Sequence, residues 1–232
     1  MCCTHLCKFQ VYNGGNNVFG LFPMLLLFAL LLPVLLFLFY FNIAAISFTK
    51  LGLSPQGAML LFIFSLVGGV INIPISKQKI TVEEKRDTPF PFLFYYPPRV
   101  KQQVIAVNLG GAIIPTIFAL YLLGKVPILP ALLSVTVVTL ATHAMARVIP
   151  GVGISLPAFI PPLVAVGSAL LLAGEFAAPT AYIAGSLGTL IGADLLNLGK
   201  IKSIGAQVVS IGGAGVYDGI FLVGIIAAFL AV

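Results

Sequence analysis

Charge is scarce in this sequence. Only 8% of its 232 residues are Asp, Glu, Lys or Arg, against roughly 25% in a soluble domain. Apolar residues make up 60% of the chain and mean hydropathy is +1.15. A soluble globular domain is excluded, and the composition implies one polytopic membrane domain over 1–232. Cysteine is scarce too. Cys2, Cys3 and Cys7 crowd the N-terminus beside His5, and without paired C-x-x-C modules the tail reads as short and reduced, with no metal expected. No basic run is interleaved with aromatics, so no nucleic-acid partner is expected. "GVGISLP" (151–157) lacks the spacing of a phosphate loop, and no other nucleotide motif is present. No Ser/His/Asp set has the right order and depth. No cofactor is expected.

What is there is apolar length. A span needs about 20 apolar residues. Seven such segments are read: roughly 20–48, 56–75, 104–123, 127–148, 154–174, 178–198 and a last one ending at Val232. The fold class is therefore all-α, a helical membrane bundle with membrane lipid as its surroundings. The run from Val18 to Phe48 is too long for a signal-peptide core and reads as a span, bent at Pro23 and Pro33. "IPGVGISLPAFIPP" (149–162) is full of helix breakers, which makes the fifth segment a candidate broken or re-entrant helix.

The net charge of +6 is read as topology. Lys8, Lys77, Lys79, Lys85, Arg86, Arg99, Lys101, Arg147, Lys200 and Lys202 fall on one face of the membrane; Lys50, Lys125 and Glu175 fall on the other. The positive-inside rule puts the N-terminus and the 76–103 loop in the cytoplasm and the C-terminus outside, in a multi-pass cell-membrane protein.

Two stretches resemble each other: "VGGVINIPI" (67–75) and "NLGGAIIPTI" (108–117). Gly-Gly followed by Pro weakens a helix, and Asn72 and Asn108 are placed to cap or fill the break. Paired discontinuous helices mark transporter sites; the alternative is close helix packing through small residues.

Two aspartates, Asp194 and Asp218, sit inside apolar runs. A charged Asp at a helix centre costs about 2.5–3.5 kcal/mol, so each faces a cavity or a partner. Asp194 lies six residues before Lys200, about 9 Å of helix. Counted from Val232 across a core of about 30 Å, Asp218 falls at the same depth. The match requires 203–215 not to be a straight spanning helix. Gly205, Gly212, Gly213 and Gly215 disfavour helix, and "AQVVSI" (206–211) has strand character. An extended segment followed by a short helix from about Gly215 or Val216 is therefore expected, with Asp194 facing Asp218. Carboxylates that close share a proton and titrate as a unit. Such a pair serves acid–base hydrolysis, or proton carriage and cation binding. His143 and Arg147, at i and i+4, share a helix face. Arg147 is a candidate ion-pair partner for either aspartate, or a snorkelling interfacial residue with His143 packed beside it.

"GAD" (192–194), "YDG" (217–219) and the Gly-rich run before Asp218 resemble the intramembrane aspartyl proteases: presenilins, signal peptide peptidases and prepilin peptidases. In that group one catalytic Asp lies in a Tyr-Asp pair and the other in Gly-x-Gly-Asp. Here Tyr217-Asp218 stands where Gly-x-Gly-Asp is expected, and Gly192-Ala193 precedes Asp194 without the motif's first Gly. The resemblance implies catalytic Asp194 and Asp218, a site shaped by Tyr217, Gly192, Gly212, Gly213, Gly215 and Asn197, and a transmembrane peptide substrate that adds as a strand at 206–211. "NLGGAIIP", "GVGISLPAFIPPL", "GSLGTLIGADLLNL" and "GGAGVYDGIFLVGIIAAFLA" resemble, over nearly the whole chain, a prokaryotic membrane family, the domain-of-unknown-function family numbered sixteen-fourteen, which implies no particular activity. Three functions are carried forward: an aspartyl-protease-like hydrolase; an ion-coupled transporter or channel using the aspartates with Asn72 and Asn108; and a non-catalytic scaffold in which the aspartates pair with Arg147.

Overall fold

A computed structural model describes residues 18–82, 99–149, 153–201 and 206–213, with positions 222, 223 and 226. The chain divides into two compact units, Met1–Asn42 and Ile43–Val232. The described part of the first is helical and belongs to α1 (Val18–Lys50); its side chains from Leu25 to Leu36 are exposed.

The second unit is mostly helical, but it is not all-α. Helix α2 (Pro55–Gly68) starts on Ser54, whose Oγ accepts the Gly57 N–H at 3.1 Å, with Pro55 in the first turn. It stops at Gly68-Gly69, short of the expected 75. Asn72–Val82 is instead strand β1, and Arg99–Asn108 is strand β2. Pro74 cannot continue a helix, and the β-branched residues around it favour extended backbone. The third helical segment accordingly begins after 108 rather than at 104. It opens with a π turn, Leu109–Ile113, and continues as α3 (Ile114–Leu123).

Strands β1 and β2 pair antiparallel, with Asn72 opposite Asn108, Val82 opposite Arg99 and a bulge between Pro74 and Ser76. A third strand, β5 (Val208–Ile211), runs parallel to β2 with Val104 opposite Val208, giving the order β1–β2–β5. The extended character expected for 206–211 is thus present. Residues 202–205 and 214–221 lie outside the described set, and with them the expected start of a final helix.

Helix α4 (Ile128–Met145) matches its expected span. The breaker-rich segment after it forms a small hairpin, β3 (Arg147–Ile149) with β4 (Gly153–Ser155). Helix α5 (Ile160–Leu172) then starts on Pro161, where a missing N–H costs nothing. Helix α6 (Ala177–Thr189) runs into a second π turn, Leu190–Asp194, a 3₁₀ turn and the short α7 (Leu198–Ile201). Ile128–Met145 and Gly174–Lys200 are long and apolar enough to cross a membrane.

Glycines set the helix spacing. A Cβ on Gly188 would meet the Val138 side chain at 2.7 Å, and one on Gly192 would collide with Thr142 and the Thr139 carbonyl. Val138 against Gly188 and Thr142 against Gly192 make α4 and α6 parallel and close. Val138 of α4 and Ala184 of α6 pack in one core cluster with Ala165 of α5 and with Val223. At one end, Ala112, Leu156, Leu190 and Ala193 pack with Val107, Ala146 and Ile211. Ala206 and Val209 pack with Ile105, Val148, Ile154 and Leu198. These two clusters seat one face of the sheet on the ends of α4 and α6.

Candidate functional site

Asp194 ends the π turn that interrupts α6. Its side chain is buried, 3% exposed, in an apolar surround. The carboxylate Oδ2 accepts the backbone N–H of Gly212 at 2.6 Å. Gly212 is the first residue after β5 and holds φ +70°, which favours glycine. A Cβ there would also come 2.7 Å from the Gly111 carbonyl carbon. The acid therefore grips the end of a strand at a point where only glycine fits. Gly213 follows, its N–H on the Ser210 carbonyl at 3.3 Å.

The π turn leaves backbone carbonyls without their regular helical partners. Asn197, fully buried, takes two of them: its Nδ2 donates to Gly192 O at 3.2 Å and Ala193 O at 2.9 Å. His143 Nδ1 also sits on Gly192 O, at 3.2 Å, and 3.4 Å from Asn197 Nδ2. Lys200 Nζ donates to Asn197 Oδ1 at 2.9 Å, fixing the amide's orientation. Gly192 lets α4 approach closely enough for His143 to reach this carbonyl. His143, Gly192 and Asn197 are thus supports of the turn that carries Asp194.

The two Gly-Gly-Pro stretches meet each other. Asn108 caps the first π turn, accepting the Gly111 N–H at 2.7 Å. Its Nδ2 donates to Gly69 O at 2.6 Å and to Asn72 Oδ1 at 3.2 Å. Ser210 of β5 donates to the same Asn72 oxygen, and Ser65 Oγ donates to Gly110 O at 2.9 Å. A Cβ on Gly68 would lie 2.9 Å from Gly110 N. Asn108 thus caps its π turn, Asn72 accepts from both Asn108 and Ser210, and Gly68 packs against Gly110 across the junction. Gly212 stacked on Gly111 and Ala112 ties this node to Asp194.

Arg147 is exposed on β3, opposite Ser155. Among the described residues the partner of Asp194 is the Gly212 amide, not Arg147. Asp218, Tyr217 and Gly215 lie outside the described residues, as do Cys2, His5, Cys3 and Cys7. No group of three or more His, Cys, Asp or Glu able to hold a metal exists among the described residues. Sequence reasoning missed Ser65, Thr142, Lys200 and Ser210. Lys200 was visible as a neighbour of Asn197 at i+3. Ser210 was visible as the one polar residue in an apolar strand.

The chain belongs to the family described as "Protein of unknown function (DUF1614)", whose model matches residues 66–230. The match covers the sheet, α3 to α7 and both aspartates. No curated protein matches the chain, and no solved structure does.

Proposed function

We propose that this member of the family is a multi-pass membrane hydrolase of the aspartyl-protease kind, with Asp194 and Asp218 as its carboxylate pair and an extended peptide as its substrate. The membrane reading is supported by the inverted character of the helices. Leu129, Leu140, Leu163 and Leu171 are exposed on α4 and α5, while polar Ser186, Thr189, Asp194 and Asn197 are buried in or just after α6. Exposed apolar area on this scale needs lipid or a partner. Seven spans with a cytoplasmic N-terminus and an external C-terminus remain our reading of the charge pattern.

The observation that carries the hydrolase reading is the Asp194–Gly212 hydrogen bond. It joins the acid to the end of β5, so a peptide paired with β5 runs its backbone past Asp194. The sheet's two edges differ in a way that favours this. β1 is blunted by Pro74, a bulge and exposed Lys77 and Lys79. β5, "VVSI", has none of these devices, and no described strand pairs with its outer edge. Gln207 O accepts the Val104 N–H at 2.8 Å. Alternation in a parallel ladder then turns the N–H and C=O of Val208 to that open edge. Support for Asp218 comes from its described neighbours in sequence. Gly212 is held by Asp194, and Val223 abuts Gly185 of α6. The pair would work by one carboxylate taking a proton from water as its oxygen attacks the amide carbon. The other protonates the carbonyl oxygen, and collapse to acid and amine returns both to their starting states.

The test is cleavage of a transmembrane-peptide library by purified, reconstituted protein, beside Asp194→Asn and Asp218→Asn. Cleavage lost in both variants supports the proposal. No cleavage by folded protein over a broad pH range refutes it. The meeting of the two Gly-Gly breaks at Asn72 and Asn108 favours a second reading, an ion-coupled carrier. Proton or sodium flux in the same vesicles would reveal it.

A further inference from the structure

Hydroxyls on these helices follow two patterns. Thr49, Thr136, Thr142 and Ser168 turn back onto carbonyls three or four residues earlier, the nearest partner a helix offers. Ser134 of α4 and Thr180, Ser186 and Thr189 of α6 do not. All four are fully buried, and none of these hydroxyls has a hydrogen-bond partner among the described residues. A buried hydroxyl without a partner is costly, and ordered water is the usual remedy where polar groups converge.

Of the four, Ser186 and Thr189 stand nearest Asp194 along the chain. Ser186 and Thr189 are three residues apart and share a face. In a regular α-helix Asp194, five residues on, would be rotated roughly 140° away from Thr189. The π turn reduces that offset. Leu195 N–H is shared between Ile191 O and, one residue further back, Leu190 O, so the π turn at Leu190–Asp194 winds less per residue and turns Asp194 back toward the Ser186–Thr189 face. Gly188 and Gly192, against α4, occupy another face. The steps along the stripe rise by about 4.5 Å and at most about 7.5 Å, and one water making two hydrogen bonds of about 2.8 Å bridges such steps with the help of side-chain reach.

We propose that Ser186 and Thr189 bind a file of ordered water that ends on the Asp194 carboxylate. This deepens the hydrolase reading and partly rests on it: the file holds, inside an apolar bundle, the water that hydrolysis consumes. The π turn thereby acquires a purpose, aligning the acid with its water.

The test turns on the sign of a stability change. Ser186→Ala and Thr189→Val each delete one hydroxyl with little change of shape. At a dry site the apolar replacement removes an unsatisfied group and raises the melting temperature. At a hydrated site it takes a partner from a bound water and lowers it. Both variants of the full chain in detergent are expected to melt lower, by about 2–4 °C. Either one melting at or above wild type overturns the file. X-ray-generated hydroxyl radicals give an independent readout on the wild type: bound water labels buried side chains in 186–194, and an unlabelled segment overturns the proposal. Neither measurement needs a substrate, so a dry site and a failed hydrolase assignment are distinguishable.

Discussion

Replacing Gly212 by Ala perturbs the junction between the acid and the strand without touching either side chain. Two costs follow from its surroundings. A non-glycine residue at φ +70° loses about 1–2 kcal/mol. The new methyl would stand 2.7 Å from the Gly111 carbonyl carbon and 2.8 Å from Ala112 N. Those are main-chain atoms of a capped π turn and cannot swing aside, so overpacking adds about 1–3 kcal/mol. Together the loss is about 2–5 kcal/mol, or roughly 4–20 °C of melting temperature for a unit of this size. Gly213→Ala is the control: its Cβ would approach Ser210 O at 3.1 Å with no positive φ, and a smaller loss is expected. The assay is thermal melting of the purified proteins in one detergent. If Gly212→Ala melts within a degree of wild type, or if Gly213→Ala is the more damaging, the described junction is wrong.

Other substitutions test neighbouring parts of the account. Gly192→Ala pushes a methyl into Thr142 and the Thr139 carbonyl and is expected to cost about 1–3 kcal/mol. Gly167→Ala, with nothing within 4 Å, is expected to gain up to about 1 kcal/mol; melting curves check both. Asn197→Leu strands the Ala193 carbonyl and leaves Gly192 O to His143 alone, and is expected to lower stability by about 1–3 kcal/mol, with Asn197→Gln recovering part of it in the same assay. Val208→Pro removes an N–H turned to the open edge of β5, where proline is tolerated. It should leave melting nearly unchanged and cut peptide cleavage at least tenfold; unchanged cleavage would separate catalysis from strand addition.

The sequence was informative where its patterns are local. The apolar helix α4, the broken segment around 149–162 and the strand at 206–211 follow from periodicity, breakers and propensity acting over a few residues. It misled where an apolar run looks the same as helix or strand. "VINIPI" and "VIAVN" passed as span ends because hydropathy does not distinguish a β-hairpin from a helix. At the site, burial of Asp194 and capping by Asn108 were readable from the cost of polar groups among apolar ones. The Gly212 contact was not, because it is made by a backbone N–H eighteen residues away and depends on where β5 docks. A tie to Arg147 was one of two readings of that side chain, the other an interfacial arginine, and it rested on charge and on its place near the end of the fourth span. The chain's turn into β3 leaves that guanidinium exposed while a main-chain amide takes the acid instead.

The central claim is that Asp194 and Asp218 face each other across one site. Asp194→Cys/Asp218→Cys, in a chain whose Cys2, Cys3 and Cys7 are serine, measures it directly. A short bifunctional thiol reagent applied to the protein in bilayers, followed by peptide mapping, is expected to give an intramolecular 194–218 link in most molecules. Single modification at each cysteine with no link between them would contradict the account.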